Sequence, residues 1–455
     1  VVSFRHDGPG TGAEVWSRAL DEAAPGAPSP ALTRGGDVRR VVVVAAHPDD
    51  ESLGAGGLVH RAHALGVEVV VVVATDGEAS HPHSPTRTPA DLARVRREEL
   101  REAVHRLAPR ARVHHLGLPD GALGEHRDAL TAALVETVGD GRGCLLVAPW
   151  RRDGHADHEA AGTAAATAAA RTEADLWEYP VWFWHWGRPD QAPWDDLRVL
   201  DLDPDERLAK AAAQAAHRSQ VEPLSDQPGD EALLGPGLLS HFAGPREVYV
   251  LQPPHDGALE DLHASEADPW LADSSEYERR KRDLLLAALP RASFRRGLEV
   301  GSSTGALAAD LATRCAELLV VDASAHAVAA ARARCADLPG VRVEQRRLPE
   351  EWPTEDAADG GFDLVVLSEV GYFLSPAALE RLVEELRSDL AADGVVVLCH
   401  WRHPVRGWPL DGADVHRIVV AADLRPVIAT YRDADVELLV LGAPDLLPTP
   451  GSDRG

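Results

Sequence analysis

The chain has 455 residues, 45% of them hydrophobic, and a formal charge of −27 from 73 acidic and 46 basic side chains. That length exceeds what one ordinary core fills, so two domains are expected, and the apolar content is that of a folded globular chain. The acidic balance excludes sequence-independent binding to nucleic acid or to an anionic membrane, which leaves small or neutral molecules as partners.

Residues 1–36 read as an N-terminal arm, without the apolar core of a signal peptide and with a loose APGAPSPALTRGG connection at its end. A first α/β domain is expected over 37–252. Residues 41–46 and 67–74 are continuous apolar, β-branched runs of strand length, the pattern of buried parallel strands. Helices are predicted near 52–65 and 92–107, and further strands at 112–116 and 144–148. An Ala-rich helix follows from about 155 to 170, then an aromatic stretch at 177–186 and a helix near 205–217. Residues 253–275 are polar and loop-like, and the domain boundary is placed there. A second α/β domain is expected over 276–445. It opens with a helix at 277–289, followed by strands at 297–300, 318–321, 341–344, 362–367 and 395–398. The apolar pair 427–431 and 436–441 reads as a hairpin, and 446–455 as a flexible tail. Alternating strands and helices imply layered α/β domains with parallel sheets. No apolar run is long enough to span a bilayer. Cys144, Cys315, Cys335 and Cys399 are scattered, which fits a reducing compartment, so a cytoplasmic protein is expected. Arg in place of Lys, with abundant Ala, suggests a bacterial, GC-rich source.

Chemistry concentrates at two strand ends of the first domain. The strand at 41–46 runs into His47, Pro48, Asp49, Asp50 and Glu51, and the strand at 144–148 precedes His155, Ala156, Asp157 and His158. Ligands of open parallel sheets collect beyond the carboxyl ends of the strands. Two histidines and one carboxylate with an open position make a catalytic zinc shell. The plainer alternative is a set of helix caps and loop polars.

AHPDDESLGAGG, TDGEAS, GLPDG and HADHEAAG together resemble the PIG-L/LmbE-like N-deacetylases over about residues 38–250. The resemblance implies a Rossmann-like three-layer fold and zinc held by His47, Asp50 and His158, although another divalent ion would suit the same donors. It also implies Asp49 as general base and His155 as the residue that polarises the carbonyl, with Asp157 favouring its protonation. The implied substrate is a small N-acetylated amino-sugar conjugate. Around this core, Asp120 is a candidate for sugar hydroxyls or a plain turn residue. Arg94 and Arg97 read as a solvated helix face, and His81 and His83 as loop residues. Tyr179, Trp182, Phe183, Trp184, His185 and Trp186 read as a sugar-stacking wall or as core.

In the second domain LEVGSSTG follows a short strand and opens a helix, with Asp322 ending the next strand. Such glycines permit close backbone approach to a cofactor, and the usual dinucleotide pattern of three glycines is absent. YERRKRDLLLAALP, LEVGSSTG, DLVVLSEVGYFL and HWRHPVRGWPLDG resemble class I S-adenosylmethionine-dependent methyltransferases, and within them the nodulation-factor N-methyltransferase group. The resemblance implies that Glu299, Gly301, Gly305 and Asp322 surround S-adenosylmethionine. Glu369, His400 and His403 follow strand ends, where they would orient a methyl acceptor or serve as caps and loop polars. A deacetylase makes the amine that an N-methyltransferase consumes, so a sequential, bifunctional enzyme is expected. Two activities on separate acceptors, or a sugar-binding first domain without catalysis, are the alternatives. The oligomeric state is not legible.

Overall fold

The computed structural model describes residues 10–357 and 360–447. The chain divides into two compact units between His255 and Asp256. Among the described residues unit 1 holds seven strands: β1 Arg40–Ala45, β2 Glu68–Thr75, β3 Arg112–Leu118, β4 Cys144–Pro149, β5 Asp175–Tyr179, β6 Leu197–Asp201 and β7 Arg246–Val250. Their order in the sheet is β3-β2-β1-β4-β5-β7-β6. β1 to β5 run parallel, while β6 and β7 form an antiparallel edge.

Period-two alternation sorts the side chains of β1 between two cores. Val41 and Val43 pack with Leu58, Leu100 and Leu107 on one face, under the helices Gly56–Leu65 and Pro89–Leu107. Val42 and Val44 pack with Leu130, Leu134 and Ala161 on the other, under Arg127–Val138 and Ala156–Thr172. Burial on both faces explains why the strands read as continuous apolar runs. The strand order reverses between β1 and β4, and a crevice opens at such a switch point beyond the carboxyl ends. Both histidine motifs follow these two strands.

Unit 2 repeats the plan with β8 Phe294–Val300, β9 Cys315–Asp322, β10 Val341–Gln345, β11 Phe362–Ser368, β12 Leu390–Trp401, β13 Val427–Arg432 and β14 Val436–Leu441. The order is β10-β9-β8-β11-β12-β14-β13, with β14 antiparallel to both neighbours. The switch point lies between β8 and β11, so the glycine loop after β8 and Glu369 after β11 flank one crevice.

The structure departs from the sequence reading in three places. The expected arm contains a helix, Ala13–Ala23, whose Trp16 is buried and donates its indole N–H to Trp184 O at 2.7 Å. The expected linker contains the helix Ala258–Ser265. The antiparallel pair β6 and β7 went unread because each is five residues long with mixed burial, too short for its alternation to stand out. Of the expected tail, residues 448–455 lie outside the described residues. No helix among the described residues is long and apolar enough to cross a membrane.

Candidate functional site

Chain direction changes abruptly after β1. Asp49 has a φ of +141°, a backbone conformation that an L side chain rarely adopts, and it precedes the short helix Asp50–Gly54. A network behind the turn holds this geometry. Glu51 accepts the Asp49 N–H at 3.2 Å and the Ser52 hydroxyl at 2.6 Å, and its carboxylate lies 3.2 Å from His217 Nε2.

The hydrogen bonds of His47 and His158 fix which ring nitrogen each presents. His47 Nε2 lies 3.1 Å from Asp120 Oδ1 and 3.3 Å from Asp157 Oδ2. Ionised carboxylates only accept, so Nε2 carries a hydrogen and Nδ1 is the nitrogen left to face a cation. That Nδ1 faces Asp50 Oδ2 at 3.8 Å. His158 mirrors the arrangement. Its Nδ1 donates to Asp153 Oδ2 at 2.8 Å, which leaves Nε2 3.2 Å from Asp50 Oδ1. His158 Nε2 is buried without a hydrogen-bond partner. Two imidazole nitrogens therefore face the two oxygens of the Asp50 carboxylate, each histidine held from behind by a carboxylate, as metal-bound histidines usually are. His155 adds a further nitrogen: one ligand atom each from His47, His155 and His158 lie within 4.8 Å of one another.

Electrostatics point the same way. Burial alone would favour neutral rings, yet Asp120 and Asp157 raise His47 to about 9, and Asp50 and Asp153 raise His158 to about 10. The carboxylates call for positive charge at this spot, which is what a divalent cation supplies. The donor set fits such an ion.

Asp49 points elsewhere. Its Oδ2 accepts from Arg96 Nη2 at 3.0 Å, and Arg96 also donates to Pro48 O at 2.7 Å and Gly77 O at 2.9 Å. Burial raises the Asp49 carboxyl above its ordinary value, against the pull of Arg96. His155 is the N-cap of the Ala156–Thr172 helix, and its ring lies parallel to that of Trp182 at 6.4 Å. Burial and the neighbouring histidines hold it neutral. Asp157 is not aimed at His155 as expected. Its carboxylate accepts the amides of Gly121 at 2.7 Å and Leu123 at 3.1 Å and meets His47. Asp120, expected among the sugar contacts, is turned onto His47 and the Ala79 amide.

The other surrounding candidates disperse. Arg97 pairs with Asp76, and Arg94 is exposed beside Glu98. His81 is buried in its loop against Glu231 O, and His83 is exposed. Tyr179, Trp182, Phe183 and Trp184 are buried core, with the Tyr179 hydroxyl bound to Val44 O at 2.6 Å. The chain turns into the short helix Phe183–Trp186, which leaves His185 half-buried and Trp186 exposed, so the six do not line up as one wall. Two residues escaped the sequence reading, Arg96 and Asp153. Asp153 is fully buried and accepts the amides of Val181, Trp182 and Phe183 as well as His158.

In unit 2 the loop after β8 turns through Gly301 (φ +81°), Ser303 (+45°) and Gly305 (+75°). A Cβ on Gly305 would meet the Ala331 Cα at 2.9 Å, so only glycine fits. Asp322 accepts the Ser303 amide at 3.0 Å and the Ser324 amide at 2.9 Å. Glu299 Oε2, Ser303 Oγ and Thr304 Oγ1 are all buried without partners. Burial, with Asp322 next, raises Glu299 well above its ordinary value. This cradle of unsatisfied polar atoms suits a ligand with amine and hydroxyl groups. The acceptor candidates separate. Glu369 sits at the crevice, whereas His400 is fully buried with both ring nitrogens engaged, to the Gly371 amide at 3.3 Å and to His416 at 3.0 Å. His403 is half exposed and pairs with Asp435.

Comparison with known proteins follows the two units. The GlcNAc-PI de-N-acetylase family, PIG-L, matches residues 42–169. The Nodulation protein S family, NodS, matches residues 255–422. A 1D-myo-inositol 2-acetamido-2-deoxy-alpha-D-glucopyranoside deacetylase of Actinosynnema mirum is 31% identical over 273 residues, covering 49% of this chain and 95% of its own. A diacetylchitobiose deacetylase of Thermococcus kodakarensis is 29% identical over 28% of this chain and 47% of its own. Among solved structures, the N-methyltransferase NodS of Bradyrhizobium japonicum with S-adenosyl-l-homocysteine is 23% identical. It covers 41% of this chain and 97% of that one, at a TM-score of 0.36.

Proposed function

The chain belongs to the PIG-L deacetylase family and carries a NodS-like methyltransferase domain C-terminal to it, and from that premise we propose that the two units act in sequence on one amino-sugar conjugate. Unit 1 removes an N-acetyl group and unit 2 methylates the exposed nitrogen. The observation that carries this reading is chemical: the first reaction makes a primary amine, the nucleophile that the second consumes.

In unit 1, His47 Nδ1, Asp50 and His158 Nε2 would hold a divalent metal, zinc by preference for these donors. A metal bound there supplies Lewis acidity for amide hydrolysis. Asp49 takes the proton of the attacking water and later passes it to the departing nitrogen, so that acetamide and water become acetate and amine. Arg96 fixes the orientation of the Asp49 carboxylate through its Oδ2. His155 faces the carbonyl oxygen as negative charge gathers on it. Asp120 and Asp157 act through His47 and Asp153 through His158, each fixing a tautomer.

In unit 2, Glu299, the Gly301–Gly305 loop and Asp322 would hold S-adenosylmethionine, which supplies an electrophilic methyl group. The unsatisfied Glu299 Oε2, Ser303 Oγ and Thr304 Oγ1 support that assignment.

Mass spectrometry of N-acetylglucosamine conjugates incubated with metal, with and without the methyl donor, tests the order. Deacetylation with metal alone, and N-methylation only after deacetylation, are expected. Methyl found on oxygen, or on the still-acetylated substrate, would overturn the sequence.

A further inference from the structure

Glu369 follows β11 with a φ of +56°, a left-handed backbone that is strained for a non-glycine residue. Its carboxylate is held on several sides. Lys281 Nζ donates to Oε1 at 3.0 Å, the Trp401 amide donates to Oε2 at 3.2 Å, and the Tyr372 hydroxyl donates to Oε2 as well. Lys281 is only 5% exposed and also donates to Glu278 at 2.8 Å. One cation therefore stands between two carboxylates, and the cluster keeps a surplus of negative charge.

Tyr277 closes the group. Its ring lies 5.2 Å from Lys281 Nζ and meets Trp401 edge-on at 5.5 Å. Burial and the charges of Glu369 and Glu278 hold its phenol un-ionised. Yet Tyr277 Oη is buried without a hydrogen-bond partner, an unfavourable state for a polar group. Strain at Glu369 and an unmet polar atom at Tyr277 thus fall in one cluster beside the switch point of the sheet. A bound nitrogen would give the Tyr277 hydroxyl the partner it lacks.

We propose that Glu369 and Tyr277 Oη form the receiving site for a primary amine of the methyl acceptor. One amine N–H donates to the Glu369 carboxylate and the other to the phenol oxygen, which leaves the nitrogen lone pair free. As the N–C bond forms, the S–C bond of the sulfonium methyl donor breaks and its electron pair stays on sulfur. The nitrogen becomes cationic, Glu369 stabilises that charge, and the surplus proton leaves by way of the carboxylate to solvent. Lys281 and Tyr372 are positioning residues that hold Glu369 in its strained turn. The negative surplus discriminates against carboxylate and phosphate acceptors, and an acetamide, with a single N–H and no available lone pair, does not fit. This site rests on the reading that unit 2 transfers methyl groups, and it explains why deacetylation must come first.

Isothermal titration of the full chain, stripped of metal and saturated with S-adenosylhomocysteine, tests the site with glucosamine and N-acetylglucosamine as probes. The wild type is expected to bind glucosamine at least about tenfold more tightly than the acetylated sugar, the worth of one charged hydrogen bond. Tyr277→Phe and Glu369→Gln should each weaken glucosamine by about tenfold or more while S-adenosylhomocysteine binds unchanged. Tyr277→Phe should also unfold no earlier than wild type on heating, since it deletes an unsatisfied phenol. Lys281→Met should lower kcat for N-methylation more than it raises KM. Wild-type binding of glucosamine by both contact variants, or parallel loss of S-adenosylhomocysteine, would overturn the proposal. Absence of acetate release would defeat the two-step reading alone, because amine binding is measured without it.

Discussion

Asp153 Oδ2 accepts a hydrogen bond from His158 Nδ1 at 2.8 Å, and this bond decides which nitrogen of His158 is available. The carboxylate has no freedom to leave, since Oδ1 accepts the Val181 and Phe183 amides and Oδ2 the Trp182 amide. The turn after β5 therefore sets the orientation of a histidine that follows β4.

Asp153→Asn tests this directly. The amide keeps the shape and one acceptor but loses the charge that fixes the tautomer. Metal affinity should fall by about 10- to 100-fold, as for other partners of ligating histidines. Competition against a coloured chelator reads it. Unchanged affinity would mean that His158 does not serve as a ligand through Nε2.

Arg96 and Asp49 form a buried ion pair in unit 1, with side chains 3% and 8% exposed. Arg96→Met leaves the Asp49 carboxylate alone in the core, and removing one partner of such a pair costs about 3–5 kcal/mol. Chemical denaturation of the variant should show that loss, and acetate release should slow while metal content stays at the wild-type level. A variant as stable and as active as wild type would remove Arg96 from the site.

The visibility of these residues in the sequence differs for a physical reason. His47, Asp49, Asp50, His155 and His158 are crowded into two short motifs at strand ends, where parallel sheets gather ligands, so their pattern is local. Arg96 gains its role only by burial. It occupies an apolar stripe with Leu92, Leu100, Ala103 and Leu107, and a lone arginine in that stripe was the signal available. Asp153 sits in an Asp-Gly turn that looks like any other until the turn after β5 brings the Val181, Trp182 and Phe183 amides alongside. The aromatic run left two readings open for a related reason. Alternation along a strand and inward packing of a short helix leave the same letters in the sequence. The α/β layering was legible throughout because β1, β2 and β11 bury both faces, which makes the apolar run itself diagnostic.

Glu299 should show opposite effects on stability and binding. Its buried carboxyl lacks a partner at Oε2, and burial raises it well above the carboxylate range. Glu299→Gln removes a buried ionisable group that stands beside the Asp322 charge, so unit 2 without ligand should melt at the same temperature or higher. Affinity for S-adenosylhomocysteine should fall by about tenfold, the worth of a charge-assisted hydrogen bond. A variant that lost stability and kept affinity would make Glu299 a structural residue.

The His400–His416 pair makes the stability of unit 2 depend on pH. His400 accepts the Gly371 amide at Nε2, so its Nδ1 carries the hydrogen and donates to His416 Nε2 at 3.0 Å. Neither shared nitrogen can take a second proton without breaking a bond. Burial, with His416 next, lowers His400 well below its ordinary value, and burial lowers His416 to about 4 despite Glu369 nearby. In the unfolded chain both titrate near the usual ~6.5. Between the unfolded and folded values the unfolded state binds more protons, so stability is full above the unfolded value and drains away as pH falls toward 4. Each histidine contributes a slope of about 1.4 kcal/mol per pH unit within that window. Urea denaturation of unit 2, followed between pH 7 and pH 5 by its own tryptophans, should show the loss, and His416→Gln should flatten the slope by about one histidine. An unaltered slope in that variant would mean that the pair is not held neutral in the folded state.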